Sequence, residues 1–167
     1  MNSRPFALAL LALPLALGCG GASSSNTAFF GLDLVVDKAV ADQLGSFQVV
    51  VLPRGKTYDC AEVQKTCLRQ QVQPNDPLVL SDGKGFEGRA LRFPVNLSGV
   101  SATSQDVSIE VPVGRDYALV IEAVSNDAPP RFLGSSCNYL PEVSASQNNP
   151  VIAAPMTLTS VDCNPTF

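Results

Sequence analysis

Asp106-Val-Ser-Ile-Glu-Val-Pro-Val-Gly-Arg-Asp-Tyr-Ala-Leu-Val-Ile-Glu-Ala-Val124 carries two different β signatures on either side of a turn. In its first half Val107, Ile109, Val111 and Val113 alternate with Asp106, Ser108, Glu110 and Pro112. A period of two sends the two sets to opposite faces, so this half reads as a strand buried on one side. Its second half, residues 117–124, is almost uniformly apolar, as expected of a central strand covered on both faces. Gly114-Arg-Asp116 between them carries turn chemistry.

The same signals recur outward from this stretch. Leu91, Phe93, Val95 and Leu97 alternate with Arg92, Pro94 and Asn96, and Phe30, Leu32, Leu34 and Val36 with Gly31, Asp33 and Val35. Residues 47–52 form a second uniformly apolar run. Weaker strands are expected over 68–72, 78–80, 131–133 and 154–161. Pro53-Arg-Gly55, Pro74-Asn-Asp-Pro77, Asp82-Gly83 and Asn126-Asp-Ala-Pro-Pro130 supply turns. Pro94 and Pro112 mark edge positions or bulges, because proline cannot donate to a ladder. Residues 37–44 allow one helical turn before Gly45. The pattern predicts an all-β fold: a single β-sandwich, immunoglobulin-like or prealbumin-like, of about seven to nine strands.

The chain has 167 residues, 46% apolar and 16% charged, which suits one globular domain and excludes a disordered composition. Its net charge is −4, and Lys38, Lys56, Lys65 and Lys84 are scattered. No basic cluster exists to neutralise phosphates, so no nucleic-acid partner is expected. The chain contains no histidine, which removes the commonest general base and metal ligand together.

The amino terminus has its own logic. Arg4 precedes a run from Phe6 to Leu17 that is apolar apart from Pro14, and Gly18-Cys19-Gly20-Gly21 follows. A charged start, about a dozen apolar residues and then small ones is the layout of a secretory signal. The run is too short for a membrane span of roughly 20 residues. Ala16-Leu17-Gly18-Cys19 resembles the lipobox of bacterial lipoproteins, usually Leu, then Ala or Ser, then Gly or Ala, then Cys. Ala16 and Leu17 depart from that form.

The resemblance implies cleavage between Gly18 and Cys19, and acylation of Cys19 by diacylglycerol and a further fatty acid of the palmitate type. Gly20 in place of Asp after the cysteine implies sorting to the outer membrane, facing the periplasm or the surface. The alternative is an ordinary signal peptide with Cys19 as a disulfide partner. The expected organisation is a signal peptide at 1–18, a lipidated cysteine and flexible linker at 19–28, and a sandwich domain at 29–167. The stretch 111–123, with Gly134-Ser-Ser-Cys137 beyond it, is similar to the prealbumin-like sandwich of many envelope lipoproteins. That likeness implies a fold and no activity.

If Cys19 is lipidated, Cys60, Cys67, Cys137 and Cys163 remain to pair outside the cytosol. Four cysteines allow three connectivities. The pairing favoured is Cys60 with Cys67 and Cys137 with Cys163, each within its own region, the longer loop stabilising by about 3–4 kcal/mol. A four-cysteine zinc site lacks the paired two-residue spacing that presents two thiolates together, and no metal or other cofactor is expected.

Other matches are weak. Gly55-Lys56-Thr57 ends like a phosphate-binding loop, but Val50 stands where its first glycine is needed. Ser81-Asp-Gly-Lys84 has the spacing of a penicillin-interacting serine and lysine, but in a turn sequence. Asp76 and Asp82 are near glycines yet lack the acidic series of a calcium loop. Asn96-Leu-Ser98 matches a glycosylation acceptor. Asp33, Glu87, Glu110 and Glu122 are candidate acids for glycoside hydrolysis, although alternating acids more simply read as the solvated faces of strands. The expectation is therefore a non-enzymatic envelope protein, held to the membrane by a lipid and binding an envelope protein or glycan. A carboxylate-dependent hydrolase and an accessory subunit of an envelope assembly are the alternatives.

Overall fold

Among the described residues, the alternation seen in the sequence is realised as ten strands in two packed sheets. The computed structural model describes residues 26–35, 41–95, 104–145, 152–159 and 161–167. The strands are β1 (Thr27–Val35), β2 (Leu44–Pro53), β3 (Leu80–Ser81), β4 (Glu87–Gly88), β5 (Leu91–Pro94), β6 (Ser104–Pro112), β7 (Gly114–Ser125), β8 (Phe132–Val143), β9 (Ile152–Pro155) and β10 (Thr157–Leu158). Seven of them run four residues or more, and one helical turn, α1, spans Cys60–Val63. The first sheet has the order β4-β3-β6-β1-β9 and the second β10-β8-β7-β2-β5. Pairing is antiparallel except where β9 runs parallel to β1. This is a β-sandwich.

The two-residue period decides what lies between the sheets. Phe30, Leu32 and Leu34 of β1, with Val107, Ile109 and Val111 of β6, meet Phe47, Val49 and Val51 of β2 and Leu119 and Ile121 of β7 in one buried cluster. The first sheet turns its other face to solvent, which leaves Phe29 62% exposed. The second sheet differs. Val50, Leu52, Ala118 and Val120 on its outer face are also buried, under Val63, Leu68 and Val72. Burial on both faces explains why residues 47–52 and 117–124 lack polar alternation. Uncovering those seven side chains would cost on the order of 10 kcal/mol. That is comparable with the whole stability of a domain, about 5–15 kcal/mol, so the covering layer is an essential part of the fold.

That layer is the connection from β2 to β3. Asp59 caps α1 by accepting from the Ala61 N–H at 2.9 Å, and a 3-10 turn at Leu68–Gln70 follows. Residues 68–72, expected as a strand, instead place Leu68 and Val72 down onto the sheet. Two disulfides fasten the layer: Cys60 to Cys137 on β8, and Cys67 to Cys163 in the carboxy-terminal segment. The favoured pairing of Cys60 with Cys67 and Cys137 with Cys163 is therefore wrong. Cys60 and Cys67 both sit on the cover and reach two separate anchors, where a local bridge would have tied the cover only to itself. All four sulfurs are bonded, so they form no zinc site.

Other expectations shift as well. Gly114 to Asp116 lie inside β7, and the reversal from β6 occurs at Val113. Thr27 and Ala28, assigned to the linker, begin β1. The strand expected over 131–133 is a twelve-residue one, β8. Gly134 in β8 makes room for β10: a Cβ there would lie 2.4 Å from the Thr157 carbonyl oxygen. Pro94 lies in the edge strand β5, and Pro112 ends β6. The signal peptide, Gly18, Cys19, most of the linker, Asn96 to Ser98, and much of the 37–44 turn lie outside the described residues.

The pairing yields a test. Cys67 and Cys163 are 96 residues apart, and closing a loop of that length stabilises by about 4–5 kcal/mol on chain entropy alone. The double variant Cys67→Ala, Cys163→Ala should lose roughly 4 kcal/mol in urea unfolding. An unchanged midpoint would contradict the assigned bridge.

Candidate functional site

One row of side chains crosses all five strands of the second sheet on its covered face. The registers pair Arg92 of β5 with Gln48 of β2, Gln48 with Glu122 of β7, Glu122 with Ser135 of β8, and Ser135 with Thr157 of β10. Directly paired residues share a face, so these five stand side by side. Gln48, Glu122 and Ser135 in the middle are buried, whereas Arg92 and Thr157 at the two ends are exposed.

The row is bonded to the cover. Glu122 Oε1 accepts from the backbone N–H of Leu68 at 2.7 Å, and Oε2 accepts from Gln48 Nε2 at 2.8 Å. Gln48 Nε2 also donates to the Pro165 carbonyl oxygen at 2.8 Å. Its Oε1 accepts from Arg92 Nε at 3.2 Å, and Arg92 Nη2 donates to Thr166 Oγ1 at 2.9 Å. Gln64 Nε2 from the cover donates to the Ser135 carbonyl oxygen and to Thr157 Oγ1. Both covering segments, the one after α1 and the carboxy-terminal one, are thus tied to the same row.

Glu122 is 0% exposed. Loss of hydration pushes its pKa from 4.5 to about 7, against the opposing pull of the Leu68 N–H, the Gln48 amide and the Arg92 charge. Its reading as a solvated strand acid is corrected. The spacing of a strand distinguishes the two faces but not whether a second layer covers the outer one.

The row opens at Arg92 into a cleft of about 790 Å3 between β5 of one sheet and β6 of the other. Arg92 and Phe93 line one wall, Asp106 the other, with Lys84 and Phe86 on the β3–β4 side and Thr166 at the carboxy-terminal side. Gln105 Nε2 bridges the two sheets by donating to the Pro94 carbonyl oxygen at 3.1 Å. A volume of this size lies within the usual range for small-ligand sites, about 300–1,000 Å3. Phe86 is 59% exposed beside it. The sequence offered no signal for this cleft, because it depends on how the edges of two sheets diverge.

The remaining candidates stand apart. Asp33 lies opposite Asp106, and Glu110 opposite Phe29 and Ser81, all on strands of the first sheet; Glu87 is on β4 of that sheet. None shares a sheet with Glu122. Asp82 accepts from the N–H groups of Lys84 and Phe86, which lower its pKa, and Asp76 accepts from the Gln73 N–H. Both shape their own turns. Ser81 Oγ accepts from the Gly83 N–H, and the Lys56 N–H donates to Asp116 Oδ1. Among the described residues no group of three or more His, Cys, Asp and Glu is placed to hold a metal ion.

No protein family matches the chain, and neither does any curated protein or solved structure.

The burial of Glu122 sets the pH dependence of stability. The folded protein keeps this proton up to about pH 7, whereas the unfolded chain releases it near 4.5. Stability is therefore greatest below the lower value and falls as pH rises through the higher one, by roughly 3 kcal/mol in all. Asp82 and Asp127, whose pKa values are lowered, act at more acidic pH. Calorimetry should give a higher Tm at pH 5 than at pH 8, with the slope flattened in Glu122→Gln. A wild-type Tm that is constant over this interval would contradict the account.

Proposed function

We propose that the chain is a lipid-anchored cell-envelope protein with a non-catalytic binding role, held to the outer membrane through Cys19. The observation that carries the anchor is the use of the other four cysteines. Cys60 bonds Cys137 and Cys67 bonds Cys163, which leaves Cys19 with no disulfide partner in its own chain. An unpaired cysteine after Gly18, at the end of a short apolar run, is what the lipobox resemblance requires. The two disulfides also suit an oxidising compartment. Among the described residues no helix is long and apolar enough to cross a membrane. One chain would hold weakly; two or more hold firmly, at about 0.8 kcal/mol per buried methylene.

The binding role rests on the cleft at Arg92. It offers a cation fixed by two hydrogen bonds, with Phe86 and Phe93 alongside, in a concave site of ligand size. The partner class remains an envelope protein or glycan. A carboxylate hydrolase is the second reading, and it fares worse: Glu122, the acid with the raised pKa, is sealed from solvent, and the other candidate acids belong to the opposite sheet.

Expression in a bacterial host with labelled fatty acid tests the anchor. The wild-type protein should take up label and fractionate with membranes, and Cys19→Ser should remain unlabelled and retain its signal peptide. Equal labelling of the two would refute the assignment. For the binding role, cross-linking in envelopes should capture a partner that Arg92→Glu and Phe86→Ala release. Capture unaffected by both variants would remove the cleft from the account.

A further inference from the structure

The cleft at Arg92 lies between two sheet edges, and the registers show which backbone groups look into it. In an antiparallel ladder the N–H and C=O of one residue point to the same side, and successive residues alternate. The Val113 N–H donates to the Asn26 carbonyl oxygen just before β1, so Val107, Ile109 and Val111 also turn their backbone toward β1. Asp106, Ser108 and Glu110 turn theirs the other way. Glu110 is met there by Ser81 of β3. Among the described residues no strand pairs with that side of Asp106 and Ser108, and both line the cleft.

The β5 edge across the cleft is blunted. The Val95 N–H donates to Gly45 on β2, which leaves Arg92 and Pro94 with outward backbone groups. Pro94 has no N–H, and its carbonyl oxygen accepts from Gln105 Nε2 at 3.1 Å. Such features keep an edge from pairing with another chain, and β6 lacks them at Asp106 and Ser108.

We propose that this free edge of β6 takes up an extended segment of a partner polypeptide as an added strand, alongside β3 in the first sheet. The proposal rests on the binding role given to the cleft and names its partner. Asp106 and Ser108 each present one N–H and one C=O at strand spacing, a pattern that another backbone matches and a sugar ring does not.

The two faces set the sequence of the occupant. Its inward side chains meet Leu91, Phe93 and Val107, which belong to the core or pack against it, so they are apolar. Its outward side chains stand beside Asp106, whose direct neighbour on β1 is Asp33. Among the described residues no Lys or Arg forms an ion pair with either acid. Like charges directly opposite each other are unfavourable, so the outward positions call for Lys or Arg. The same repulsion disfavours a second copy of β6, which would set acid against acid. Of the cations in the cleft, Arg92 is bonded to Gln48 and Thr166, and Lys84 lies in the turn between β3 and β4. The occupant is a segment that alternates apolar and basic residues.

The experiment is amide hydrogen exchange, read by NMR on the oxidised wild-type protein with a synthetic decapeptide alternating Lys and Val. On binding, the Asp106 and Ser108 amides should exchange at least about tenfold more slowly, while the Val107 amide, which faces β1, stays unchanged. A peptide alternating Glu and Val should bind at least about tenfold more weakly. Methylating one alternate set of peptide nitrogens should abolish binding, and methylating the other set should leave it, because one set faces β6. Equal losses from the two methylated forms, or binding without protection of Asp106 and Ser108, would overturn the added strand while leaving the cleft a binding site. Failure of the Lys and Val peptide to bind would also overturn it. So would protection by an N-acetylglucosamine oligosaccharide, or protection that grows with protein concentration alone, since these assign the edge to a glycan or to a second copy. Loss of the binding role itself is read separately, from capture that Arg92→Glu and Phe86→Ala leave unaffected.

Discussion

The outer face of the second sheet has to be covered, and two disulfides hold the cover in place. Val50, Leu52, Ala118 and Val120 would otherwise meet water, since the second sheet is apolar on both sides where the first is apolar on one. The covering segment is short, with one α-helical turn and isolated 3-10 turns, and it has too little internal structure to remain folded alone. Cys60 and Cys67 tie it to β8 and to the carboxy-terminal segment, separations of 77 and 96 residues. Those long loops are where cross-links remove the most freedom from the unfolded chain. A three-layer arrangement follows: exposed sheet, buried sheet, stapled cover.

The polar row belongs to the same arrangement. A carboxylate at the centre of a covered sheet carries a large desolvation cost, and Glu122 meets it with two hydrogen bonds and the nearby Arg92 charge without fully offsetting it. In return the row specifies where the cover sits. Leu68 is held by its N–H and the carboxy-terminal segment by the Pro165 carbonyl oxygen, both through partners two strands apart from the cleft or nearer. Apolar contacts alone would hold the layer with less directional preference. The row ends at Arg92, so the edge of the sheet that opens into this cleft is also bonded back to the interior.

Much of this fold was legible in the sequence. The alternation of β1, β5 and β6 gave their inner faces residue by residue, and the uniform runs in β2 and β7 marked the two strands buried on both sides. What covered those strands was not legible, because the covering segment owes its shape to cysteine pairing across the chain. Reading the cysteines as local pairs failed for that reason. β8 was largely missed because Gly134-Ser-Ser-Cys-Asn138 carries no apolar alternation; its outer face bonds to the cover through a carbonyl and a disulfide instead. Glu122 looked like any strand acid, since period two cannot reveal a third layer. The cleft is set by the relative placement of two sheets, which has no local signature.

Disulfide mapping tests the central claim most directly. Cleavage after Lys65, after Arg131 and after Glu142 separates all four cysteines of the sandwich into different peptides, so the bridges can be read by mass spectrometry without reduction. The account predicts the Cys60 peptide joined to that of Cys137, and the Cys67 peptide to that of Cys163. Recovery of Cys60 linked to Cys67 would contradict it, because the layer would then be cross-linked only to itself and no covalent bond would fasten it to the sheet.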